Sequence, residues 1–167
     1  GAHDLADLQM AFIGCGVMAE SMIAGLLRKN LVRAEQIIAS HPRAARRDEL
    51  REKYDIRTFE NNATAVKNTY ESDNSMIVLS VKPQRLPGIL HELKNVVLSN
   101  QMVLSIIAGA RIETISGALG NEKIVRAMPN TPAQIGQGIT AWTSTESVAE
   151  NERAQVKELL TALGREL

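Results

Sequence analysis

The sequence predicts a doubly wound α/β domain, with a mostly parallel sheet between two layers of helices, on three observations. Short apolar, β-branched runs alternate with longer stretches of helical periodicity; each run closes at Gly, Pro, Asn or Ser; and the runs are apolar at consecutive positions, as strands buried on both faces are. The predicted strands are Met10 to Ile13, Ile37 to Ser40, Arg57 to Phe59, Met76 to Val81, Met102 to Ile107, Ile124 to Met128 and Ile139 to Trp142. Ala19, Met22, Ile23, Leu26 and Leu27 share one helical stripe, and Leu86, Ile89, Leu90, Leu93 and Val97 another, so both helices should pack on the sheet. His91 falls on the polar side of the second. The last helix reads from a capping box at Ser147 and Glu150, through Val156, Leu159, Leu160 and Leu163, to a stop at Gly164.

Composition narrows the function. In 167 residues, 44% hydrophobic and 23% charged, there is enough apolar material for a core, which excludes a disordered chain. Nineteen Lys plus Arg balance nineteen Asp plus Glu, leaving no global field to gather nucleic acid or an anionic membrane. The single cysteine, Cys15, has no disulfide partner in the chain, and no CxxC or Cys/His cluster has metal-ligand spacing, so no metal is expected and a cytoplasmic location fits. No apolar run approaches the roughly 20 residues that cross a bilayer. Residues 1–9 lack the pattern of a signal peptide and read as a disordered tail or an expression remnant, leaving 10–167 as one domain.

In a doubly wound sheet, ligands sit beyond the carboxyl ends of the strands. There the first strand runs into Gly14-Cys15-Gly16-Val17-Met18-Ala19, with the helical stripe starting at Ala19. This is the G-x-G-x-x-A pattern of a Rossmann-type dinucleotide site. Gly14 permits a tight turn, Gly16 lets a pyrophosphate approach the backbone, and a small Ala19 lets helix and strand pack closely. The phosphates would sit at Gly16, Val17, Met18 and Ala19 on the helix N-terminus, where amides and dipole favour negative charge. Cys15 reads as a small apolar loop residue and Met18 as packing.

The end of the second strand selects the cofactor. An NAD site offers Asp or Glu there for the ribose 2′-OH. This chain offers Ser40, then His41-Pro42-Arg43-Ala44-Ala45-Arg46-Arg47, with no carboxylate before Asp48. Hydroxyl, imidazole and guanidinium groups suit a 2′-phosphate, so NADP(H) is expected, with Ser40, His41 and Arg43 as the phosphate corner. Arg46 and Arg47 are open between that role and the solvated face of a helix running to Tyr54.

With these residues in hand, the chain resembles the dinucleotide-binding part of the pyrroline-5-carboxylate reductase family. The match includes Ile13 through Glu20, Ala39-Ser40-His41-Pro42, Val81-Lys82-Pro83-Gln84, Ser105-Ile106-Ile107-Ala108-Gly109 and, most specifically, Val125-Arg126-Ala127-Met128-Pro129-Asn130-Thr131-Pro132-Ala133 followed by Gly136-Gln137-Gly138. The resemblance implies that Asn62 contacts the adenosine side of the cofactor. Val81, Lys82, Pro83, Ala108 and Gly109 would line it towards the nicotinamide, and Asn130 and Thr131 would stand at the reacting end. It implies hydride transfer from NADPH to the C=N bond of 1-pyrroline-5-carboxylate, giving L-proline. Lys82 is either a proton donor or a group that orients its loop. Asn130 and Thr131 either bond the substrate or cap the turn that Pro129 and Pro132 impose.

The family continues past Leu167 into a helical domain that makes a homodimer or higher oligomer and carries part of the substrate site. On this reading the chain stops short of that domain and is monomeric and inactive by itself. Two other functions fit the same loops: an NADP-binding sensor or scaffold without catalysis, and a same-fold NADP reductase of another substrate, such as a β-hydroxyacid or a deazaflavin.

Overall fold

The structure is a computed structural model that describes residues 5–129 and 139–166. Its strands are β1 (Gln9–Ile13), β2 (Ile37–Ser40), β3 (Arg57–Phe59), β4 (Ser75–Leu79), β5 (Met102–Ser105), β6 (Ile124–Pro129) and β7 (Ile139–Ser144). Its helices are α1 (Val17–Arg28), α2 (Ala44–Tyr54), α3 (Asn62–Lys67), α4 (Leu86–Leu93), α5 (Ile112–Leu119) and α6 (Glu150–Glu166). The sheet order is β3-β2-β1-β4-β5-β6-β7. Every pairing from β3 across to β6 is parallel, and β7 pairs antiparallel with β6. The chain winds outwards from β1 to β3 and then returns to lay β4 against the other side of β1. That reversal makes the β1/β4 junction the switch point at which an α/β sheet of this kind has its ligand crevice.

The pleat sorts the strand residues between two cores. Met10 and Phe12 of β1 pack on one face with Met22 and Leu26 of α1 and Val156 and Leu159 of α6. Ala11 and Ile13 pack on the other with Val66 of α3, Leu90 of α4 and Ile115 of α5. Each Leu, Ile or Met so buried contributes about 1.5–3 kcal/mol, so the glycine turn between β1 and α1 hangs from elements packed into the core.

All seven expected strands form. β4 ends at Leu79 and β5 at Ser105, earlier than the apolar runs suggest, and this frees Ser80, Val81, Ile106 and Ile107 to build the rim. Three helix expectations need correction. α4 ends at Leu93, where Lys94 leaves the helix at ψ 131° and Asn95 follows with a left-handed φ of 67°, and Val97 reaches the core from the following loop at 5% exposure. The Ser147/Glu150 capping box does not form. Instead the Ala149 N–H donates to Glu152 Oε1 at 2.9 Å, and Ser147 Oγ bonds Glu122 Oε2 at 3.3 Å. Nor does Gly164 stop α6, which runs through it to Glu166 because glycine weakens a helix without forbidding one.

Candidate functional site

The two glycines of the turn are there for different reasons. Gly14 has φ +80°, and a Cβ on it would lie 2.5 Å from Val81 Cγ1, so the fold itself excludes a side chain. Gly16 has φ −91° and ψ −159°, open to any residue, and a Cβ there would meet nothing within 4 Å. What glycine keeps at 16 is a clear approach to the backbone.

The polar groups around this turn divide sharply. Gly14 N–H donates to Ser40 Oγ at 3.3 Å, and Cys15 N–H to the Ser40 carbonyl at 3.1 Å. The Gly14 carbonyl accepts from Ser80 Oγ at 2.6 Å, the Cys15 carbonyl from Arg46 Nε at 3.2 Å, and the Gly16 carbonyl from Arg46 Nη2 at 3.4 Å. The first amides of α1, on Val17, Met18 and Ala19, have no intrahelical acceptor, and Gly16 supplies no side-chain cap. A turn whose carbonyls are taken by the protein, and whose helix-end donors are left over beside open space, fits a pyrophosphate. Val17 stands 78% exposed at the helix start, Ala19 is buried, and Met18 packs half-buried against the core. Cys15 is fully buried, and burial pushes its thiol up to about 12, which makes it an inert packing residue.

Ser40 differs from the expectation of a phosphate ligand. As the last residue of β2, paired with Ile13, it is fully buried. Its hydroxyl accepts from Gly14 and donates to Asn62 Oδ1 at 2.7 Å, so it links the turn to α3. Asn62 Nδ2 in turn donates to Glu92 Oε2 at 3.4 Å. His41 is half-buried; its N–H donates to the Phe59 carbonyl, and its Nδ1 accepts the Arg43 N–H at 3.1 Å. Burial first, then the charges of Arg43, Arg46 and Arg47, hold its pKa below the ordinary 6.5. The three arginines part company. Arg47 Nη1 donates to the carbonyls of His41 (2.8 Å) and Pro42 (3.0 Å), and Arg46 pairs with Glu20 at 2.7 Å and Glu49 at 3.0 Å. Arg43, at the N-cap of α2, is exposed with no side-chain hydrogen bond or ion pair among the described residues.

Across the crevice, Val81 is half-buried against Gly14, while Lys82 and Pro83 are exposed, Lys82 capping the short 3-10 turn Pro83–Arg85. Ala108 and Gly109 are exposed after β5, Gly109 at φ +77°. A groove of about 780 Å³ opens beside Pro83, Ala108 and Gly109 and runs between α4 and α5, past His91 and Lys94. The glycine turn is not on its wall. Asn130 and Thr131 lie outside the described residues. Among the described residues no group of three or more His, Cys, Asp or Glu is arranged to hold a metal, and no helix is long and apolar enough to cross a membrane. Sequence reading missed Ser80 and the inward reach of Arg46, since both depend on which strands are neighbours.

Fold and turn together define a dinucleotide-binding domain of the Rossmann type. The family described as NADP oxidoreductase, coenzyme F420-dependent, matches residues 9–109, and the chain belongs to it. The cofactor of the family is thus NADP.

The chain is also similar to the pyrroline-5-carboxylate reductase of Synechocystis sp., at 35% identity over 95% of this chain and 57% of that protein, and to that of Pseudomonas aeruginosa, at 38% over 93% and 55%. It spans a little over half the length of these curated relatives. Among solved structures, the pyrroline-5-carboxylate reductase of Coxiella burnetii superposes with a TM-score of 0.81 at 28% identity, over 93% of this chain and 56% of that one. A prephenate dehydrogenase from Aquifex aeolicus, at TM-score 0.75 and 15% identity over 94% and 57%, shares the fold.

Proposed function

We propose that this chain is the cofactor-binding part of a pyrroline-5-carboxylate reductase, which reduces the C=N bond of 1-pyrroline-5-carboxylate to give L-proline. The observation that carries the reading is the 35–38% identity to such reductases over more than nine-tenths of the chain. NADPH, when bound, supplies the hydride. The amides of Val17, Met18 and Ala19 hold its pyrophosphate, and Arg43 takes the 2′-phosphate beside His41. Val81, Lys82, Pro83, Ala108 and Gly109 bound the nicotinamide end, with Lys82 steadying charge at the rim. Asn130 and Thr131 are assigned to the imine by the resemblance of the Met128 to Pro132 string to the reductase family. Holding the two reactants at reacting distance is the protein's main contribution. In this reading the longer protein is a cytoplasmic homodimer or higher oligomer, and the present chain alone is a monomer that binds cofactor without turnover.

Calorimetric titration tests it. NADPH should bind at least about tenfold more tightly than NADH, a difference of about 1.4 kcal/mol, and Arg43→Ala should erase the difference. Equal affinities would remove the phosphate corner. Failure of a polypeptide of the relatives' full length to oxidise NADPH with 1-pyrroline-5-carboxylate would remove the substrate.

A further inference from the structure

We propose that Arg46 is a positioning residue for the dinucleotide pyrophosphate, acting through the carbonyls of Cys15 and Gly16, and that it serves NADPH and NADH alike. By sequence Arg46, in the first turn of α2, is open between the phosphate corner with Arg43 and a solvated helix face. Its guanidinium goes elsewhere. Nε and Nη2 reach the carbonyls of Cys15 and Gly16 at 3.2 and 3.4 Å, while Nη1 lies 2.7 Å from Glu20 and 3.0 Å from Glu49. Its side chain is 14% exposed and that of Glu20 17%, so the bonds form largely out of water, where charge-assisted geometry is most strongly held.

Glu20, from the first turn of α1, is fixed in its turn by the Tyr54 hydroxyl at 2.6 Å and Lys53 Nζ at 3.2 Å. Burial opposes its charge, but the hydrogen bonds from Tyr54, Arg46 and Lys53 outweigh burial and lower its pKa. The α2 helix thereby grips both the entry to α1 and its first turn through one planar fork.

The consequence follows from the peptide bond. A trans peptide points its C=O and N–H in opposite directions, and the Gly16 carbonyl, which takes the Glu20 N–H at 3.0 Å as the first bond of α1 and Arg46 Nη2 at 3.4 Å as a second, is thereby fixed so that the Val17 N–H aims out of the helix end. That amide is among those left without an acceptor. The charge on Arg46 is already met by Glu20 and Glu49, which leaves its influence geometric. The inference rests on the reading that the pyrophosphate sits on this turn, and it separates the two arginines: Arg43 distinguishes the cofactors, Arg46 does not.

The test is titration of the chain, Arg46→Lys, Arg46→Met and Arg43→Ala with NADPH and with NADH, alongside their melting temperatures and ¹⁵N amide spectra. Lysine keeps a cation for Glu20 but cannot fork to two carbonyls and a carboxylate, so it carries the test if the methionine variant fails to fold. Both Arg46 variants should weaken both cofactors about tenfold, keep the NADPH/NADH ratio within about twofold, and shift the Val17 amide resonance. Arg43→Ala should weaken NADPH alone. Selective loss of NADPH in Arg46→Lys would make Arg46 a 2′-phosphate ligand, and unchanged affinities would make its carbonyl bonds irrelevant; either overturns the proposal. A parent chain that binds neither cofactor overturns the site reading and the proposal with it.

Discussion

The two sides of the crevice differ in how firmly the chain holds them. At the glycine turn, side chains from β2, α2, α3 and the β4–α4 loop converge: Ser40, Arg46, Asn62 and Ser80 take up the turn's polar groups or one another's. Opposite, Lys82, Pro83, Ala108 and Gly109 stand exposed, and Lys82, whose side chain alone among them can donate, makes no side-chain hydrogen bond among the described residues. The lesson is a division of labour. On the proposed reading the pyrophosphate, common to NADPH and NADH, would meet a cradle set in advance, and presetting saves the ordering cost of binding. The opposite rim, which the proposal gives to the nicotinamide end, is shaped by exposed loops, so its geometry is less committed.

The sharpest way to break this contrast is to add one methyl group at each glycine. Gly14→Ala incurs a left-handed backbone penalty of about 1–2 kcal/mol and overpacking against Val81 of about 1–3 kcal/mol, so urea unfolding should show a loss of about 3 kcal/mol. Gly16→Ala should leave stability within about 1 kcal/mol of the parent while NADPH affinity falls at least about tenfold. Equal destabilisation by the two would erase the difference between a glycine required by the fold and one required by the ligand.

Acid offers a second probe of the tight side. Glu20 has its pKa lowered from 4.5, so its stabilisation is complete above pH 4.5 and disappears as pH falls through the lower folded-state value. Melting curves of the parent and Glu20→Gln should therefore differ at neutral pH and converge as the pH drops below 4.5. A gap that persists in acid would mean that the carboxylate's charge is not what joins α1 to α2. The smallest effect is expected on the loose side: Lys82→Ala should leave stability within about 0.5 kcal/mol of the parent in urea unfolding and lower NADPH affinity by no more than about threefold in calorimetric titration, since Lys82 only steadies charge at the rim.

The same contrast governs what the sequence could reveal. Strands were legible because each is a compact β-branched run, and the motif was legible because Gly14, Gly16 and Ala19 are close in the chain. The reversal of β7 was not, since nothing in a strand's own residues states its direction. The start of α6 misled because Ser147 and Glu150 have capping-box spacing, whereas in the fold Ser147 turns to Glu122, far off in sequence, and Glu152 meets the Ala149 N–H instead. Ser40 read as a ligand because its neighbours are basic, whereas its burial depends on β1 and β3 flanking it. Arg46 to Cys15, Ser80 to Gly14 and Ser40 to Asn62 span 31, 66 and 22 residues, distances at which local pattern carries no information.

The one thiol of the chain is also a built-in clock for the site. Cys15 lies inside the turn, wholly covered and protonated at any ordinary pH, so an alkylating reagent can reach its thiolate only when the turn opens. Labelling rate then measures the free energy of that opening, residue-specifically and without a mutation. A dinucleotide that seats on the turn will slow the label in proportion to its occupancy, which turns the least reactive atom of the crevice into its most direct reporter.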